Sequence, residues 1–149
     1  MPKIEFTEIL DHVKIIDLSD INSNINLSNF KAKIEEYNEY LREHAVNCQD
    51  QNVSHTHVLI NLDNSDIIAY MTLLADSVCL LPKEKDDDLL SDIPFSTLPA
   101  LKIGKLAVNE SYSNKYRGIG SAMIKVARGF AIKLNQIGVA CRYLTTDAD

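Results

Sequence analysis

Long apolar runs are missing. No stretch of the 149 residues approaches the length needed to cross a bilayer. The amino terminus, MPKIEFTEILDH, lacks the apolar centre of a secretory leader. Cysteine is scarce: Cys48, Cys79 and Cys141 are odd in number, scattered, and form no CxxC pair. A disulfide framework is excluded, reduced thiols are expected, and the expected compartment is the cytoplasm. Glycine is scarce too, five in all, and none falls in a GxxxxGK[ST] run, which excludes a P-loop. Repeats, low-complexity tracts and a linker are absent, so residues 1–149 are expected to form one domain.

What is present is the composition of a globular domain, 46% apolar and 24% charged. The net charge of −6 is unevenly spread. Residues 1–100 carry 7 basic and 18 acidic groups, whereas residues 101–149 carry 8 basic and 3 acidic. A basic third on an acidic chain suits an anionic ligand; chance plus one acidic loop, Lys83–Asp92, is the ordinary reading.

The pattern of elements is mixed. KIEFTEI and VKIIDL read as strands. Phe30, Ile34, Tyr37, Leu41, Ala45 and Cys48 recur every three or four residues and predict one helix, with Ser28 as its N-cap. His55–Asn61 and Ile67–Ala75 predict an antiparallel hairpin, and Leu101–Val108 a further strand. A polar loop, NESYSNKYR, then leads to a helix opening at Gly118, with Ile119, Met123, Val126, Ala127, Phe130, Leu134 and Ile137 on its inner face and Gly138 just past its end. Val139–Thr146 predicts a last strand, parallel to Leu101–Val108 because a helix intervenes. The fold class is therefore α/β, more strictly mixed α+β: a mostly antiparallel sheet with helices on both faces.

Gly118-Ile119-Gly120-Ser121 is the informative stretch. Glycine at a helix start loses more backbone freedom than any other residue, so its presence points to a need for bare backbone. Free N–H groups and the helix dipole favour phosphate there. Ser121 adds a hydroxyl, and Lys115 and Arg117 add charge. The spacing departs from GxGxxG, since Met123 stands where the third glycine belongs. A close-packed junction with the sheet is the alternative.

KLAVNESYSNKYRGIGSAMIKVA resembles motif A of the GCN5-related N-acetyltransferases (GNAT), [QR]-x-x-G-x-[GA] after a strand ending in LAV, and is most similar to the bacterial branch containing acetyltransferase toxins. Lys115 stands where that family has Arg or Gln, keeping charge and losing planar geometry. The resemblance implies an acyl-CoA N-acyltransferase-like fold and acetyl-CoA as cofactor. It implies that the turn Lys115, Tyr116, Arg117, Gly118, Ile119, Gly120, Ser121 and Ala122 meets the cofactor, its diphosphate on the amides of Gly118–Ala122. The backbone of Leu106, Ala107 and Val108 would line the pantetheine arm. It implies an N-acetyltransferase acting on a primary amine, on a small molecule or a peptide. The family's further helix, its acid tyrosine and its closing strands have no counterpart before Asp149. The chain is thus expected to be a C-terminally shortened form, with self-association through the edge of Val139–Thr146, or a CoA-binding or partner-completed module without turnover. Tyr112, Tyr116 and Tyr143 do not occupy the acid position. Glu110 is the first candidate base. No metal is expected: His55 and His57 share a strand face but lack a third ligand. Cys141 is expected to be buried and structural. The net negative charge argues against nucleic acid, leaving aminoacyl-tRNA acetylation as a lesser alternative.

Overall fold

In the computed structural model, residues 2–22 and 24–146 are described. Met1 and the last three residues of the predicted ending RYLTTDAD lie outside them. The organising element is a five-stranded sheet with strand order β2-β3-β4-β5-β7: β2 Val13–Asp17, β3 His55–Asn61, β4 Ile67–Cys79, β5 Thr97–Val108 and β7 Tyr143–Thr146. All pairings are antiparallel except β5 with β7, which run parallel as the intervening helix requires.

The central strands are buried on both faces, which is why HTHVLIN and IIAYMTLL read as near-continuous apolar runs. Two cores lie on opposite sides of the sheet. One holds Phe6, Leu59, Met71, Leu73, Ile103, Tyr112, Ile119, Met123 and Ala127, and packs the sheet against α5 (Ile119–Gln136). The other holds Phe30, Leu41, Ala45, Val58, Ile67, Tyr70 and Ala107, beneath α1 (Glu35–Glu39) and α2 (Ala45–Asp50). Tyr70 is fully buried, donates its hydroxyl to the Tyr37 carbonyl at 2.8 Å and meets the Phe30 ring edge-on. Burial raises its phenol well above the usual range.

Several sequence expectations need correction. The predicted helix from Phe30 begins instead at Glu35. Residues 30–34 are not helical, because the Asn38 side chain accepts from the Ala32 N–H at 2.6 Å and donates to its carbonyl at 3.1 Å. Phe30 still reaches the core, while Ile34 is half-exposed. Ser28 is no N-cap; it sits in a 3-10 turn capped by Asn26. A π-helical turn, Tyr40–His44, joins α1 to α2. KIEFTEI is mostly 3-10 turn (Phe6–His12), with only β1, Ile4–Glu5, extended. The acidic stretch opens with a helix, α3 (Pro82–Asp87). The NESYSNKYR loop contains α4 (Glu110–Ser113) and β6 (Tyr116–Arg117), which pairs in parallel with β1. The last strand begins at Tyr143, because the Asn135 side chain grips the backbone of Cys141 through both N–H and carbonyl. Cys141 is half-buried rather than buried. Ile137 is exposed.

Candidate functional site

The site starts at an irregularity in β5. Thr72 pairs with Lys105 and Leu73 with Ile103, so Gly104 is an extra residue without a partner in β4. That is a β-bulge. Thr72 Oγ1 accepts from the Lys105 N–H at 2.8 Å in place of a ladder bond. A Cβ on Gly104 would lie 2.9 Å from that hydroxyl and 3.0 Å from a Leu74 methyl, so glycine is needed for this close approach. A bulge bends its strand and increases twist. β7 pairs with β5 over Ala100–Ile103, up to Thr146, the last described residue. From Gly104 to Val108, among the described residues, that side of β5 has no strand partner. Leu106, Ala107 and Val108 lie in this stretch, each paired with β4 on the other side.

β5 ends at Asn109, which is buried and caps α4: its Oδ1 accepts from the Ser111 N–H and hydroxyl, and its Nδ2 donates to the Ile67 carbonyl at 3.0 Å. Glu110 is exposed in the first turn of α4, with its N–H bonded to the Lys31 carbonyl at 2.8 Å. Tyr112 is buried and committed to structure, accepting from Asn61 at 3.0 Å and donating to Asp66 at 2.9 Å. Burial raises its phenol. Tyr116 stacks on Tyr112, and Lys115 lies 5.4 Å over the Tyr116 ring. Tyr143 donates to the Asp88 carboxylate, away from this region.

The chain then turns on Gly118 at φ +91°, a left-handed conformation that favours glycine. Gly118 is the N-cap of α5 and makes no side-chain cap bond. Ile119 is buried and anchors the helix start. Around Gly120 nothing lies within 4 Å of where a Cβ would be, and Ser121 is exposed. The turn thus presents open backbone beside Ala122, the arrangement a diphosphate needs. Arg117 does not stand free beside it: its Nε is bound to Glu5 on β1, and Glu5 Oε2 lies 4.0 Å from the Cβ position of Gly118.

On the α2 side of the bulge is a pocket of about 250 Å³ lined by Tyr40, Ser54, Thr72, Lys102, Gly104 and Lys105 among others. Tyr40 shares a 2.7 Å hydrogen bond with Ser54, and Lys105 Nζ sits 4.8 Å over the Tyr40 ring. Sequence reasoning missed this pocket. Its only sequence signal was Gly104, an isolated glycine inside a strand, which marks a bulge. His55 and His57 do share a face, with ring centroids 5.1 Å apart, and His55 is bound to Asp17.

No family model and no curated protein matches the sequence. Solved structures do resemble the fold. AtaT complexed with acetyl-methionyl-tRNAfMet superposes with a TM-score of 0.75 at 21% identity, covering 91% of this chain and 78% of that one. AtaTR bound with acetyl-CoA gives 0.70 at 21%, covering 93% and 78%. A mutant of KacT gives 0.69 at 21%, covering 86% and 74%. At such identity the likeness is one of fold. The mixed, mostly antiparallel sheet with helices on both faces is the acyl-CoA N-acyltransferase-like fold that the glycine-turn motif predicted.

Proposed function

We propose that the chain is an acetyl-CoA-dependent N-acetyltransferase that moves an acetyl group to a primary amine. One observation carries the reading: β5 carries a bulge at Gly104 and leads, through α4 and β6, to a helix start with a left-handed Gly118 and an unobstructed Gly120. Acetyl-CoA, when bound, supplies an acyl thioester. The amides of Gly118–Ala122 and the Ser121 hydroxyl hold its diphosphate. Lys115 and Tyr116 flank it. The backbone of Leu106, Ala107 and Val108, on the side away from β4, offers hydrogen bonds to the pantetheine amides. The Tyr40–Lys105 pocket receives the acceptor across the bulge. Glu110, the candidate base, starts α4 five residues past Lys105, about 16 Å along an extended chain, and so lies too far from that pocket to take the ammonium proton there. Holding both reactants in line accounts for much of the rate.

The acceptor class is drawn from the neighbours. AtaT was solved with an acetylated methionyl-tRNA and KacTA with DNA. Together with the basic final third, this favours an amine carried by a macromolecule, aminoacyl-tRNA included, over a free small amine. Filter retention of aminoacyl-tRNA at low salt checks it, and absence of retention sinks this part alone.

The cofactor test is a thermal shift with acetyl-CoA. At ~100 times its dissociation constant the ligand adds about 2.7 kcal/mol, or roughly 5–10 °C for a chain of this size. Gly120→Glu, placed in open space, should fold normally and lose the shift. Glu110→Gln should keep both the shift and the turnover, since Glu110 lies outside the acceptor pocket. Turnover lowered by roughly 10²-fold in Glu110→Gln would instead make Glu110 the base.

A further inference from the structure

A second cavity, of about 530 Å³, lies between the far end of α5 and the start of β5, far from the glycine turn. Phe130 is twelve residues past Gly118, about 18 Å along the helix axis. The walls are mainly apolar: Leu73, Leu101, Phe130, Leu134 and Val139. This size and lining suit a small-molecule site. One polar group is set into it without a partner. His57 is 9% exposed and packs its ring 4.4 Å from Phe130. Among the described residues, neither of its ring nitrogens has a hydrogen-bond partner. Neither nitrogen is sealed off, since the Thr56 hydroxyl is the only buried unpartnered side-chain N or O atom among the described residues, so the imidazole opens its polar edge to the cavity.

The geometry points to a binding site for a small, neutral, mostly apolar molecule bearing one hydroxyl, with the hydroxyl bonded to His57. The surroundings set the charge. An anion would face the carboxylate of Asp17 on the same wall. A cation beside His57 would need that carboxylate, and it is already engaged: Oδ1 accepts from the Ser19 N–H, the Ser19 hydroxyl and Gln49, and Oδ2 binds His55; the cavity's other carboxylate, Asp76, is exposed and accepts from the Thr145 hydroxyl at 3.2 Å. Burial and the neighbouring His55 also disfavour the charged form of His57. A neutral imidazole has one donor and one acceptor nitrogen, and a hydroxyl can answer either. The site is independent of acetyl-CoA binding.

The test titrates the full chain with p-cresol and with toluene, following the histidine ring signals by NMR and the melting temperature. Saturable movement of the His57 signals by p-cresol, at concentrations at least about fivefold below those needed for toluene, is expected; that ratio is the effect of one hydrogen bond. His57→Leu should bind both probes alike. Leu134→Trp, which fills the cavity and leaves His57 in place, should bind neither. Equal response to both probes in the unaltered chain, no response at all, or a response surviving Leu134→Trp would each overturn the assignment and leave a water-filled cleft.

Discussion

At the scale of single residues, Glu5 and Arg117 matter most for the cofactor reading. Arg117 belongs to the motif as a positive neighbour of the diphosphate, yet its Nε is bound to Glu5, whose second oxygen hangs over Gly118. Both side chains are more than half exposed, so the pair adds little to stability, within about 1 kcal/mol. Its effect on an anionic ligand is larger, because a carboxylate beside the turn opposes the same charge it would accept. Glu5→Gln should therefore tighten acetyl-CoA binding by roughly two- to tenfold, equivalent to ~0.5–1.4 kcal/mol, at an unchanged melting temperature. Calorimetric titration of both proteins measures this. Weaker binding in the variant would mean that the pair holds Arg117 in a useful pose rather than withholding it.

At the scale of elements, the bulge decides whether the site exists. Gly104 fits where a Cβ would press on Thr72 and Leu74. Gly104→Val should cost about 1–3 kcal/mol through overpacking. A regularised strand would also redirect the Lys105 N–H, which the bulge turns to the Thr72 hydroxyl, and the backbone after it, so the acetyl-CoA shift should vanish. Retained acetyl-CoA binding in a destabilised Gly104→Val protein would separate the bulge from the site. What could be read in advance follows from the same physics. β3 matches its predicted bounds, and α5 begins and ends within two residues of them, because side-chain period and the left-handed Gly118 and Gly138 are local signals. The glycine turn was legible for that reason. The non-helical entry at Phe30 and the late start of β7 were not: each rests on a single amide side chain, Asn38 or Asn135, gripping distant backbone. The β1–β6 pair joins Ile4 to Lys115 and carries no periodicity to read. The pocket around Tyr40 and the placement of His57 needed the sheet to be assembled first.

At the scale of the whole molecule, one sheet separates two cores, and the Asp17–His55–His57 cluster joins the edge strand β2 and its neighbour β3 to α5. Its titration therefore reports on global folding. His57 sits below the usual imidazole range, first because burial disfavours its charge and then because His55 is near; Asp17 acts weakly in the opposite direction. A histidine depressed in the folded state takes up protons more readily when unfolded, so stability is undisturbed above about pH 6.5 and erodes as pH falls below it. Asp17 is also depressed. Its burial acts to raise it and is outweighed by hydrogen bonds from His55, Ser19 and Gln49. Its contribution is present above about pH 4 and is lost on further acidification. Melting curves should thus fall in two stages, one below pH 6.5 and one below pH 4. His57→Leu should flatten the first and leave the second, and Asp17→Asn should do the reverse, apart from what the loss of a partner does to His55. A first stage that persists in His57→Leu would assign it to another histidine, and the unpartnered imidazole would then not be the group that makes this fold sensitive to mild acid.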